Sequence, residues 1–192
     1  MAKTAALPDL PKANQLEEAL RKLPRGRLLL GYQQKSISLL DSVSLLAIEK
    51  SRRIGLTWAL AAKAVLTASK ARDQGGMDAL YISYAQDMTR EFIDACAMWA
   101  RVFGLAAADE DEVMFKDGDK DIKAFRIIFA SGFEVMALSS APRSLRGKQG
   151  LLIIDEAAFV DNLPELLKAA MAFLMWGGKV VVVCTHNGAG NS

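Results

Sequence analysis

An apolar run, Leu45-Leu46-Ala47-Ile48, passes directly into Glu49-Lys50-Ser51-Arg52-Arg53-Ile54-Gly55-Leu56-Thr57-Trp58, and an alanine-rich stretch of helical character follows. A buried strand, a tight basic turn and a helix in that order restrict the chain to folds that stack helices on a sheet. The same order is that of a phosphate-binding loop, G-x-x-x-x-G-K-[ST], whose backbone N–H groups cradle phosphates. In that pattern the lysine reaches the β/γ-phosphates and the hydroxyl holds Mg²⁺. Gly55 and Thr57 stand at the second glycine and the hydroxyl positions, Leu56 occupies the lysine position, and Lys50 stands at the first glycine. Taken alone the segment also fits any α/β protein with a basic strand-to-helix turn.

About a hundred residues downstream, Leu151-Leu152-Ile153-Ile154 is a continuous apolar run, the mark of a strand buried on both faces of a parallel sheet. It ends in Asp155-Glu156, and open α/β sheets carry ligand chemistry at the carboxyl ends of their strands. An Asp there can orient Mg²⁺ and its waters, and a Glu can polarise an attacking water. Alone the pair could be an ordinary charged strand end. With the basic loop before it, the two form a candidate triphosphate pocket: a displaced cation facing two acids on a neighbouring strand tip.

The 192 residues suit one domain with at most a small appendage, and 52% hydrophobic residues suffice for a sizeable core. A net charge of +2 neither requires nor excludes nucleic acid, so any basic surface must be local. The clusters that could form it are Lys50, Arg52 and Arg53, and Arg143, Arg146 and Lys148. Cys96 and Cys184 fit no metal or redox spacing and read as small core residues of a reducing compartment. One histidine, His186, cannot anchor a zinc site. The first ten residues lack the apolar core of a secretory signal, and no apolar stretch is long enough for a bilayer, so the expectation is a cytosolic protein without membrane contact.

Periodicity predicts a helix over residues 13–23, stopped by Pro24, after a loose first dozen residues, and a second helix from Gly31 to about Leu40. A strand over residues 44–49 feeds the loop, and a long helix runs over residues 56–72 to the break at Gln74-Gly75-Gly76. Residues 79–83 read as a strand and 87–103 as a helix, while the charge-dense stretch 108–123 reads as a solvated loop or edge insertion. Residues 124–129 and 132–139 read as paired strands at one side of the sheet, then come the strand over 151–154, a helix over 163–175 and a buried strand over 179–184. This alternation predicts an α/β fold with a mainly parallel sheet covered by helices on both faces.

Five pieces stand in order: Tyr32-Gln33, the loop 50–57, Ser144-Leu145-Arg146-Gly147, Ile154-Asp155-Glu156-Ala157-Ala158-Phe159, and Cys184-Thr185-His186-Asn187-Gly188. Together they resemble, over roughly residues 28–190, the ATPase domain of the large terminase subunit of tailed bacteriophages, with the Mu-like group closest. The resemblance implies a P-loop NTPase-type, ASCE-like sheet and an ATP-hydrolysing motor that drives double-stranded DNA into a procapsid. It implies ATP and Mg²⁺ as cofactors. Its partners would be DNA, the portal or procapsid, the small terminase subunit and further copies of the chain in a ring, in the host cytoplasm.

Position by position, the resemblance gives Gln33 the adenine edge, although a helix-capping glutamine fits the residue equally. It gives the nucleotide phosphates the loop Lys50, Ser51, Arg52, Arg53, Ile54, Gly55, Leu56 and Thr57, with Lys50 replacing the lysine missing at Leu56. Arg52 or Arg53 could act as an arginine finger in cis, and Arg146 could sense γ-phosphate of its own or a neighbouring subunit; each arginine could instead meet DNA phosphate. Thr57 and Asp155 would hold Mg²⁺, Glu156 would be the catalytic carboxylate, and Thr185 with Asn187 would couple phosphate loss to movement. His186 departs from the proline frequent in the family. On this reading residues 1–27 form a helical or loose leader, residues 28–192 the ATPase domain, and the family's nuclease domain, with its DNA cleavage, is absent. Two other readings use the same residues: a degenerate nucleotide-binding or assembly module, favoured by Leu56, and a fragment of a helicase-like ATPase.

Overall fold

The computed structural model describes residues 28–106 and 125–186. The helix expected over 13–23, the charge-dense stretch 108–123 and Asn187 lie outside the described residues. Helix α1 (Gly31–Ser42) leads into strand β1 (Leu45–Lys50), the basic loop and helix α2 (Leu56–Ala68). Strand β2 (Ala79–Ile82), helix α3 (Gln86–Ala106), and strands β3 (Phe125–Ile128) and β4 (Glu134–Leu138) follow. Strand β5 (Leu151–Ile154), helix α4 (Leu163–Met175) and strand β6 (Lys179–Thr185) complete the order.

The strands form one six-stranded sheet in the order β1-β6-β5-β2-β4-β3. Every neighbouring pair is parallel except β3 with β4, the hairpin-like departure expected of two strands with no helix between them. Helices α2 and α3 cover one face over a core that includes Leu60, Val65, Tyr81, Phe92, Ile153 and Val181. Helix α4 covers the other over Leu80, Leu152, Ile154, Phe173 and Val180. The fold is therefore the mainly parallel α/β sheet with helices on both faces that the alternation predicts.

Helix α2 is buried around most of its circumference because Ala59, Ala61, Ala62, Ala64 and Ala68 let it lie close to both the sheet and α3. It ends at Ala68 instead of near residue 72. A short 3₁₀ turn, Arg72–Gln74, then closes on Gly75 at φ 81°, a left-handed backbone suited to glycine. Strand β1 corrects the expectation of strands buried on both faces: among the described residues it is an edge strand, and Leu45, Ala47 and Glu49 face outward while Leu46 and Ile48 pack on the α2 core. Cys96 is buried as expected of a core residue, whereas Cys184 is only half-buried. Among the described residues no helix is long and apolar enough to cross a membrane.

Candidate functional site

Strand register gathers the site before any side chain is considered. Lys50 pairs with Thr185 across β1 and β6, and Ile154 pairs with Val182 across β5 and β6, so the ends of all three strands open on the same edge. Side chains alternate faces along a strand. Lys50 therefore shares its face with Leu46 and Ile48, Asp155 with Ile153, and Thr185 with Val181 and Val183, all on the α2 side of the sheet. The acids are not on the strand adjacent to β1, as the sequence suggests: β6 lies between, and it inserts Thr185 between Lys50 and Glu156.

The loop between β1 and α2 turns through two left-handed residues, Arg53 at φ 57° and Gly55 at φ 69°. Gly55 is the N-cap of α2, so the first-turn N–H groups that no helix carbonyl can satisfy point toward the strand ends. Such a terminus favours anions. Leu56, at the usual lysine position, is 2% exposed and belongs to the core beneath the loop. Arg52 and Arg53, like Ser51, are exposed on the outside of the turn, and Arg146 is exposed in the segment before β5. None of the three arginines makes a hydrogen bond or ion pair with the acids of the site.

The displaced cation points inward. Lys50 Nζ lies 2.5 Å from Glu156 Oε1, donates to Thr185 Oγ1 at 3.2 Å and stands 3.9 Å from Asp155 Oδ1. The Lys50 and Glu156 side chains are 7% and 15% exposed, so this ion pair is shielded from bulk water. Thr185 Oγ1 in turn donates a hydrogen bond to Glu156 Oε1 at 3.0 Å, closing a triangle of lysine, threonine and glutamate. Burial, the largest single influence, disfavours the charged carboxyl of Glu156. The hydrogen bonds from Lys50 and Thr185 together with the lysine charge outweigh it and hold the group below its ordinary value. Its second oxygen, Oε2, is buried and has no hydrogen-bond partner in the protein. Glu156 itself sits at φ 52°, ψ 44°, a costly backbone for a residue with a Cβ.

Asp155 is fully buried and completely engaged. Its Oδ2 accepts from Thr57 Oγ1 at 2.6 Å and from Tyr81 OH at 3.2 Å, and its Oδ1 accepts from the Glu156 N–H at 2.9 Å. Because the Thr57 proton is directed at Asp155, the lone pairs of its oxygen remain available to a cation.

Gln33 is assigned the adenine edge by resemblance, but here it is buried and committed to the chain itself. Its Nε2 donates to the Ile54 and Gly55 carbonyls at 3.2 and 3.0 Å, while its Oε1 accepts from the Leu30 N–H at 2.9 Å and so caps α1. Tyr32 OH donates to the Ile54 carbonyl as well. These two residues hold the loop from above. Tyr81 is the member of the cluster that sequence reasoning passes over. The available signal was a phenol in the middle of a strand buried on both faces, where its hydroxyl must find a partner.

The sequence profile of the family described as "Terminase large subunit, T4likevirus-type, N-terminal" matches residues 47–191. The chain belongs to this family. Among the family's relatives, the "Mu-like prophage FluMu protein gp28" of Haemophilus influenzae is 55% identical over 164 residues, 85% of this chain and 32% of that protein. The "Probable terminase, large subunit gp28" of Escherichia phage Mu is 48% identical over 173 residues, 88% of this chain and 31% of that protein. The chain thus spans about a third of the length of the curated relatives it matches. The HK97 bacteriophage large terminase shares its fold at a TM-score of 0.57 and 15% identity, covering 85% of this chain and 34% of that one. So does the Thermus phage P74-26 large terminase ATPase domain, at a TM-score of 0.52 and 18% identity, covering 80% of this chain and 64% of that one.

Proposed function

We propose that residues 28–192 are the ATP-hydrolysing motor domain of a phage DNA-packaging terminase, with residues 1–27 as a leader. The observation that carries this reading is the join between Lys50 and Glu156. A cation from the head of the loop lies 2.5 Å from the acid that follows β5, beside Thr57 and Asp155. Triphosphate would lie against the first turn of α2, where the free N–H groups and Lys50 meet its charge. Its arrival competes with Glu156 for the lysine. Release from Lys50 leaves burial opposing the charge of Glu156, which makes its carboxylate the stronger base, and its unpartnered Oε2 can accept a proton from water in line with the γ-phosphate.

The donor set suits Mg²⁺, which takes hydroxyl and carboxylate oxygens and completes its shell with substrate phosphates and water. Thr57 and Asp155 are the residues that would hold it, and when bound the ion would neutralise charge on the β- and γ-phosphates. Thr185 touches both members of the ion pair and is suited to report loss of phosphate along β6. The exposed Arg52, Arg53 and Arg146 are free to reach phosphate of nucleotide, of DNA or of a neighbouring copy. The working partners in this proposal are duplex DNA, the procapsid portal, the small terminase subunit and further copies of the chain in a ring, in the host cytoplasm.

Phosphate release with and without duplex DNA tests the proposal. Glu156→Gln is expected to bind ATP but lose turnover by a factor on the order of 10² or more, as loss of a positioned acid–base group does. Lys50→Ala is expected to lose ATP binding as well. Hydrolysis at the wild-type rate in either variant would reject the assignment.

A further inference from the structure

Strand β2 carries no residue of the proposed nucleotide machinery, yet it reaches into the site through one hydroxyl. Tyr81 is fully buried and pairs with Ile153 across β2 and β5. Its side chain therefore rises on the α2 face and reaches Asp155, two residues further along β5. Its ring stacks on Phe92 of α3 with centroids 3.8 Å apart and planes within 8°, which leaves the phenol little freedom to swing away. The Asp155 N–H also donates to the Ile82 carbonyl at 2.9 Å, so both the backbone and the carboxylate of Asp155 are tied to β2.

The consequence concerns Oδ2, which accepts hydrogen bonds from Thr57 and Tyr81 together. A carboxylate held by one flexible hydroxyl and one backbone N–H can rotate about its Cβ–Cγ bond. A third donor on a locked ring fixes the plane, and with it the direction in which the Thr57 proton is drawn. The geometry makes the phenol the donor: its OH lies 3.2 Å from Oδ2, and a carboxylate oxygen accepts.

We propose that Tyr81 is a positioning residue: it fixes the Asp155 carboxylate, and through it the Thr57 hydroxyl, in the orientation that accepts a divalent cation. This rests on the reading of Thr57 and Asp155 as the Mg²⁺-holding pair. Partners of this kind, one bond removed from the metal's own shell, typically change metal affinity by about 10- to 100-fold when lost.

The test is a Mg²⁺ titration of the 192-residue chain with a fluorescent, non-hydrolysable ATP analogue, read as binding. Tyr81→Phe keeps the ring and its stack on Phe92 and removes only the hydroxyl. It is expected to raise the Mg²⁺ midpoint about tenfold while leaving analogue binding in EDTA unchanged. Phe92→Leu loosens the stack but keeps the hydroxyl, and its midpoint is expected to stay nearer to wild type than that of Tyr81→Phe. An unchanged midpoint in Tyr81→Phe would show that Tyr81 only fills the core, and a larger rise in Phe92→Leu than in Tyr81→Phe would show that packing and not the hydroxyl carries the effect. A readout that needs no variant is the ¹³Cζ shift of Tyr81 in the wild-type chain. It is expected to move on addition of Mg²⁺ with analogue and not with analogue in EDTA; no difference between the two overturns the proposal. Wild-type binding that ignores Mg²⁺ altogether would instead remove the underlying metal reading, and it would be seen before any variant is made.

Discussion

Glu156 holds two opposed roles in one side chain. Oε1 is bound by Lys50 and Thr185, and Oε2 has no partner in the protein. The first oxygen is tied into the fold, and in the proposed mechanism the second is the one that meets water. Because Lys50 and Thr185 depress the carboxyl below its ordinary 4.5 against the opposing effect of burial, linkage gives a definite sign. A folded-state value lower than the unfolded one contributes stability that is fully present above the unfolded value and is lost as pH falls through the folded one. Urea unfolding of wild type and Glu156→Gln should therefore differ by about 1.5–3 kcal/mol near neutrality, the range for a charge-assisted hydrogen bond. The gap should close progressively below pH 4.5. A gap that persists unchanged into strong acid would mean that the ion pair contributes nothing to stability.

The element that most needs explanation is the turn from β1 into α2, because it lacks the lysine its pattern normally carries. Leu56 is not a disabled cation site but a core residue under the loop, and the cation enters from β1 instead. The turn is held by α1: Gln33 and Tyr32 bind the carbonyls of Ile54 and Gly55. A Cβ added to Gly55 would lie 2.9 Å from Gln33 Nε2, and its φ of +69° is itself unfavourable for any other residue. Gly55→Ala should therefore cost about 1–2 kcal/mol from the left-handed backbone. The disturbed Gln33 bonds should add about 1 kcal/mol. In a double-mutant cycle, Gly55→Ala should cost less in a Gln33→Ala background, because the clash is gone and only the backbone penalty remains. Strictly additive losses would show that Gln33 does not support the loop. The sequence made the loop itself legible through Gly55 and Thr57, but not the clamp, since nothing in a Tyr-Gln pair at a helix start tells whether its amide faces a ligand or a backbone carbonyl.

At the scale of the whole molecule, the alternation of apolar runs made the architecture readable, and β5 and α4 fall where their patterns place them. The strand order was not readable: apolar runs report burial, not neighbours, so the insertion of β6 between β1 and β5 had no signature except the polar Thr185 at its end. Nor did the apolar run of β1 distinguish an edge strand from a central one, because Leu45 is 47% exposed although its type suits a core. That asymmetry predicts how the sheet opens. Strands β2, β5 and β6 each have a partner on both sides, whereas β1 pairs only with β6 among the described residues. Every second N–H of β1 consequently faces away from the sheet. Native-state hydrogen exchange should find β2, β5 and β6 opening only near global unfolding and β1 opening at lower free energy. A triphosphate that bridges Lys50 and the first turn of α2 ties β1 to a buried helix. Addition of Mg²⁺ and a non-hydrolysable analogue should then raise protection most at the carboxyl end of β1 and the start of α2, and least in the β3–β4 hairpin. Equal protection of β1 and β5 without nucleotide would contradict the edge assignment. A uniform gain over all six strands would mean that binding stabilises the sheet globally instead of closing it at its exposed edge.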